Sequence, residues 1–205
     1  MAAYGFEEPT GNSVVDASGT GNGGTISNAT RTTAGQIGSA LTFNGTNSWV
    51  TVADAPSLDL TTAMTIEAWV FPTGNLTNWR NVIGKERPGG VAYYLYSRAN
   101  NGRPAGGIVT GNSERTLFGT AAIPVNAWTH LATTYDGTIL RMYVNGVQVA
   151  TRAQTGTIAV SASPLRLGGN SPFGEFFAGR LDEVRIYNRV LTAQQITADM
   201  TRPVP

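Results

Sequence analysis

Cysteine is missing from the 205 residues, and lysine and histidine occur once each, as Lys85 and His130. Without cysteine the chain can form neither disulfides nor thiolate metal sites, although this fixes no compartment. Charge is scarce as well: 13% of residues are charged, the formal net charge is +1, and the arginines are scattered. That leaves no electrostatic basis for binding nucleic acid or an anionic membrane. No apolar run approaches the ~18 residues of a membrane span. The opening "MAAYGFEE" has neither the basic nor the apolar region of a secretory leader and passes almost at once into strand-like sequence. It begins as a module excised from a larger multidomain protein would.

What the chain does have is short alternating runs bounded by Gly, Asn, Pro and Asp. "SALTFNG", "SWVTVAD", "MTIEAWVFP", "NVIGKE", "VAYYLYSR", "AWTHLATTYDG", "ILRMYVNG", "VQVATRA", "PLRLGGN" and "RLDEVRIYNR" each predict a strand. Asn145-Gly146 between alternating apolar residues predicts a type I′ hairpin. Only "LTAQQITADM" predicts a helix, with Thr192 and Gln195 at capping-box spacing. The expected fold is all-β: a two-sheet antiparallel β-sandwich over residues 1–200 with one short C-terminal helix. "TRPVP" at 201–205 is expected to begin a Pro-rich linker.

"GTGNGG" at 19–24 has the glycine spacing of a dinucleotide loop, but the sequence after it is Thr-rich and not helical, so no helix N-terminus would receive a pyrophosphate. Upstream, Asp16, Ser18, Thr20 and Asn22 alternate like calcium-loop donors. Ser27 stands where an EF-hand needs its glutamate, which leaves a turn or some other oxygen-rich cation site.

The blocks "LTFNGTNSWVTV", "MTIEAWVFP", "NAWTHLATTYDGTILRMYVNGVQVA", "LRLGGN" and "FFAGRLDEVRIYNRVLTAQQI" resemble, in order, the bacterial laminin-G-like jelly-roll domains of the concanavalin A-like lectin/glucanase superfamily. The resemblance runs from Tyr4 to about Met200 and implies a two-sheet jelly roll. The superfold hosts lectins, adhesion modules and glycanases alike. It also implies a structural calcium on Asp182, beside backbone carbonyls near Glu7 and at Gly45.

Glycoside hydrolysis needs two carboxyl groups across the scissile bond. Glu67 stands without a second acid on its strand, and adjacent Asp182 and Glu183 should point to opposite sheet faces. His130 has no nucleophile or acid beside it in sequence. No catalytic site is therefore expected. Strand parity places Asp182 inward with Val184 and Ile186. A buried carboxylate needs backbone N–H groups, an arginine or a cation; as a calcium ligand it would be joined by Asp16, Asn22 and Gly45.

For ligand binding, the parity of "VAYYLYSR" places Tyr94, Tyr96 and Arg98 on one face, with Trp79, Arg80 and Lys85 in the stretch before it. Aromatic faces beside Arg and Asn donors suit sugars, although the tyrosines could instead pack under a loop. The next candidate surface is the loops around Phe173 and Glu175. Trp69 and Trp128 are expected in the core, Trp49 in the core or at its rim, and Trp79 exposed. The N-x-Thr sequons at Asn28, Asn44 and Asn75 carry no assigned function. The reading is a non-catalytic glycan-binding or adhesion module of a secreted or surface bacterial protein, with polysaccharide or glycoconjugate as partner and calcium as structural cofactor. A structural or protein-binding spacer is the first alternative; a glycosidase or polysaccharide lyase is the second.

Overall fold

The computed structural model describes residues 1–74, 77–111 and 113–205, so the sequon at Asn75 lies outside the described residues. In chain order the strands are β1 (Ala2–Tyr4), β2 (Ser13–Val14), β3 (Gly24–Ser27), β4 (Thr30–Thr32), β5 (Ala40–Asn44) and β6 (Trp49–Val52). There follow β7 (Met64–Pro72), β8 (Arg80–Arg87), β9 (Gly90–Arg98), β10 (Ala105–Thr110) and β11 (Ser113–Phe118). The chain closes with β12 (Thr129–Tyr135), β13 (Ile139–Val144), β14 (Val147–Ala153), β15 (Leu165–Leu167), β16 (Ala178–Tyr187) and the helix α1 (Ala193–Asp199). The first sheet runs β14-β13-β12-β7-β16-β5-β4, with β1 also on β16; the second runs β11-β10-β9-β8-β15-β6-β3-β2. Every named pairing is antiparallel.

Inward-facing residues of both sheets make one apolar core, including Tyr4, Phe43, Ile66, Leu95, Ile108, Leu131, Leu181 and Ile186. The glycines of "AGGIVT" let β10 into this arrangement. A Cβ on Gly106 would lie 1.9 Å from Thr133 Oγ1 of the opposite sheet, so only glycine permits that approach. Asn145 and Gly146 both have positive φ, 49° and 76°, as a type I′ hairpin requires. Thr192 and Gln195 form the reciprocal capping box of α1. "GTGNGG" leads into β3 rather than a helix, so it has no phosphate-binding geometry.

A bulge in β16 changes the inward set. Asp182 pairs with Trp69 and Arg185 with Glu67, so the alternation breaks between them, and Glu183 takes a positive φ of 51°. Leu181, Val184 and Ile186 face the core, while Asp182 shares the outer face with Trp69. The inward parity expected for Asp182 is thus corrected: simple alternation does not survive an extra residue. The bulge lies where β16 exchanges one edge partner, β5, for another, β1.

The outer face of the first sheet is covered by the C-terminal segment. Ala132, Tyr143, Leu191 and Ile196 pack together there, and the Trp69 indole donates to the Met200 carbonyl at 3.1 Å. Trp69 is buried, but under this segment rather than between the sheets. Trp128 is only half-buried, edge-on to Phe71 with Arg180 above it. Trp49 is half-buried on the outer face of the second sheet, stacked on Phe176 beneath Arg166. The 201–205 segment docks: Val204 is buried, and its N–H donates to the Glu183 carboxylate at 2.8 Å.

Candidate functional site

The site is built on the outer face of the second sheet. Lys85 pairs with Tyr93 and Glu86 with Val91, which makes Ala92 an extra residue in β9. Ala92, Tyr93 and Leu95 therefore face the core, while Val91, Tyr94 and Tyr96 face outward with Ala105 and Trp79. Across β10, Gly107 pairs with Tyr94 and leaves room for its ring: a Cβ there would lie 2.3 Å from the phenol oxygen. The edge strand β11, which the sequence reading did not identify, adds Glu114 and Thr116 on the same face.

Of the two placements open to Tyr94 and Tyr96, an exposed face or packing under a loop, the structure has the second: both are buried. Their rings meet edge to face at 5.4 Å, and Trp79 stands edge-on to Tyr96 at 5.0 Å and tilted against Phe118 at 6.2 Å. The covering element is the loop between β15 and β16. Asn170 donates to the Tyr96 hydroxyl (3.0 Å) and to Glu175 Oε2 (2.8 Å), and the Ser171 N–H donates to Glu86 (2.7 Å). This pins the loop across the sheet and leaves Phe173 54% exposed at its crest. Trp79, Val91, Tyr96, Glu114, Phe173 and Glu175 line a groove of about 300 Å³, at the small end of the range typical of ligand sites.

Two carboxylates face this groove, each tied to a phenol. Tyr94 donates to Glu114 Oε1 at 2.5 Å and Tyr96 to Glu175 Oε2 at 2.6 Å. Burial, then the bonded and neighbouring carboxylates, push both phenol pKa values far up, so the phenols stay protonated as donors. The second oxygen of each carboxylate remains for a ligand hydroxyl. Glu114 and Glu175 come together from a strand and a loop, a pairing that the reading of acids along single strands does not address. Glu67, by contrast, is sealed under α1 beside His130, with Oε2 3.9 Å from Nε2.

Three residues expected here lie elsewhere. Lys85 is 1% exposed, paired with Asp54 and donating to the carbonyls of Ser161 and Ser163, because its position in β8 turns it away from Gly84 and Glu86. Arg80 and Arg98, beyond a register shift at Arg80/Asn81, line a separate cleft.

The four residues proposed for calcium are not gathered at one point. Asp182 Oδ2 accepts N–H groups of Gln36 (2.8 Å) and Ile37 (2.9 Å), and Oδ1 accepts that of Glu183 (2.7 Å). These three N–H donors satisfy the carboxylate without a cation, and no further side-chain oxygen of the proposed set stands beside it. Burial pushes the Asp182 carboxyl up to about 7 against the opposing pull of these bonds. The Gly45 carbonyl faces Arg80 Nη1 at 3.4 Å. The Asp16 loop differs. Burial would raise its carboxyl, but the Ser18 side chain and the N–H groups of Asn22, Ala3 and Ser18 hold it below the usual range. Thr20 Oγ1 donates to Asp16 at 2.9 Å, while the Asn22 amide reaches the Met1 carbonyl (2.5 Å), Thr20 Oγ1 (2.8 Å) and Ser57 Oγ (2.9 Å). Turned over about its last bond, that amide would add its oxygen to those of Met1, Thr20 and Ser57, the type of donor calcium takes. Among the described residues no group of three or more His, Cys, Asp or Glu is placed to hold a metal, and no helix is long and apolar enough to cross a membrane.

Comparison with known proteins places this geometry in context. Residues 44–197 match the Laminin_G_3 family model, described as concanavalin A-like lectin/glucanases superfamily. Among curated proteins, Pappalysin-1 of Mus musculus is 38% identical over 78 residues, and that of Homo sapiens 36% over 78 residues. The match takes in 36% of this chain and 5% of the mouse protein. Among solved structures, domain 4 of AbnA, a GH43 extracellular arabinanase from Geobacillus stearothermophilus in complex with arabinotriose, superposes with a TM-score of 0.78 at 24% identity, covering 98% of this chain and 97% of that one. The binding domain of Paraclostridial Mosquitocidal Protein 1 gives 0.77 at 16% identity, over 97% of this chain and 51% of that chain. The ligand-binding domain of botulinum neurotoxin serotype D, in complex with N-acetylneuraminic acid, gives 0.76 at 12%, over 98% and 50%. At these identities the solved structures show a shared fold.

Proposed function

The chain belongs to the concanavalin A-like lectin/glucanase superfamily through its Laminin_G_3 match, and from that premise we propose that it is a non-catalytic glycan-binding module of an exported protein. One observation carries the reading: a groove lined by Trp79, Phe173 and Tyr96 presents two carboxylates held in place by phenols. Aromatic faces stack on the C–H faces of a sugar, and fixed carboxylate oxygens accept its hydroxyls. The two negative charges favour neutral sugars over acidic ones. A similar fold seen with arabinotriose supports the reading.

Affinity electrophoresis against neutral and acidic polysaccharides, followed by calorimetry, tests it. Retardation by a neutral polysaccharide, lost in Trp79→Ala, is the expected result. Unretarded migration in every neutral polysaccharide, or equal retardation by the wild type and Trp79→Ala, would overturn it.

Glu114 and Glu175 in one groove favour a second reading, a glycoside hydrolase. A general acid must hold a proton to give. Here each carboxylate accepts a hydrogen bond from a phenol and donates none, so binding without turnover is the stronger reading. Product release from the bound polysaccharide, abolished in Glu175→Gln, would promote the enzyme. As a structural cofactor, calcium is proposed for the Asp16 loop, held by oxygens of Asp16, Thr20 and Asn22 and tying the N-terminal strand to its turn.

A further inference from the structure

Arg80 and Arg98 stand directly opposite each other across β8 and β9. Like charges in that relation destabilise a sheet unless something of opposite sign lies between or beside them. Among the described residues neither forms an ion pair. Their hydrogen bonds go to carbonyls: Arg80 to Thr77 (3.0 Å), Phe176 (2.9 Å) and Gly45 (3.4 Å), Arg98 to Gly102 (3.4 Å). The Arg98 Nε–H is buried without an acceptor. Glu175, whose charge reaches Arg80, is bound to Tyr96 and Asn170 in the groove.

Both guanidinium groups line a cleft of about 40 Å³ at the end of the sandwich, walled by Pro72, Ile123, Val125 and Phe177. That is room for only a few water-sized bodies, which suits a small planar anion between the two guanidinium-bearing side chains. Guanidinium groups pair with carboxylates through two parallel N–H bonds. Ile123 and the exposed Val125 offer an apolar shelf to the carbon frame that carries the carboxylate.

We propose that this cleft is a binding site for a carboxylate borne on a small carbon frame, of the sugar-acid class, separate from the aromatic groove and independent of its function. The carboxylate accepts the orphaned Arg98 Nε–H and lies between the opposed arginines.

Arginine side-chain ¹⁵N NMR of the full chain tests it, with glucuronate, propionate, glucose and inorganic phosphate as titrants. Glucuronate is expected to shift the Arg98 Nε–H saturably, propionate more weakly, and glucose not at all. Arg98→Gln should weaken glucuronate binding at least tenfold, and Arg98→Lys, which keeps the charge but lacks the Nε–H, should weaken it as well. In glucuronate-free low-salt buffer Arg98→Gln, which gives up only the long bond to Gly102, should melt no lower than wild type, because it removes a repulsion. Propionate binding as tightly as glucuronate would refute the sugar-acid assignment. Phosphate binding more tightly than either acid, or no saturable shift by glucuronate at tens of millimolar, would refute the carboxylate site.

Discussion

His130 offers a quantitative test of how the C-terminal cover is sealed. It is fully buried, edge-on to Trp69 at 5.3 Å, and neither ring nitrogen has a hydrogen-bond partner. The nearest carboxyl oxygen, on Glu67, is 3.9 Å away, too far for a hydrogen bond. Burial, reinforced by the Arg185 charge, lowers the imidazole from 6.5 to about 3. Burial, then the Asp199 charge, raises Glu67 well above its ordinary value. Both groups are therefore neutral in the fold. The sign follows from protons bound. Below pH 6.5 the unfolded chain protonates His130 and the native chain does not, so stability falls as pH drops from 6.5 toward about 3. Each pH unit costs about 1.4 kcal/mol, which makes about 3 kcal/mol by pH ~4.5, a large part of a typical ~5–15 kcal/mol. His130→Leu removes two unpartnered nitrogens and the titration. Urea denaturation at pH ~7.5 and ~4.5 should show the variant gaining about 3 kcal/mol on wild type between the two. An unchanged difference would refute a buried neutral imidazole. A wild type that gains on the variant in acid would instead show an imidazolium–carboxylate pair with Glu67.

Glu67→Gln should act in the opposite pH direction, because the native carboxyl stays protonated while the unfolded one ionises above about pH 4.5; a growing stabilisation of the variant from pH ~4 to ~8 in the same assay is expected, and a flat difference would refute it. Trp69→Ala should cost ~3 to 5 kcal/mol by opening a cavity under the C-terminal segment, whereas Trp79→Ala should keep its melting temperature within a few degrees yet lose glycan binding several-fold. Equal thermal shifts for the two would mean that the groove wall is structural. Gly107→Ala should press on both the Tyr94 ring and the Arg115 carbonyl of β11, disturbing the groove and weakening glycan binding; unchanged affinity would refute the platform. In metal-stripped protein, added calcium should raise the melting temperature in wild type and Asp182→Asn but not in Asp16→Ala, and the reverse pattern would restore the Asp182 site.

The strands with clean alternation, the Asn145-Gly146 hairpin and the Thr192 cap were legible in the sequence, because each rests on contacts within a few residues. The sequence also carried the superfamily, through blocks that resemble those of its members in the same order. Parity held for Tyr94 and Tyr96 in β9 and for Val184 and Ile186 in β16, but not across the bulges: a single extra residue, Ala92 in one strand and Glu183 in the other, puts Val91 and Asp182 on the outer face instead, and nothing local marks the insertion. β10 and β11 were hidden because "AGGIVT" owes its strand character to the close approach of another sheet and another ring rather than to its own side chains. The groove was decided by tertiary structure alone. Glu175 reaches Tyr96 across 79 positions of sequence, and only the folded loop decides that this tyrosine is covered, with an acid above it.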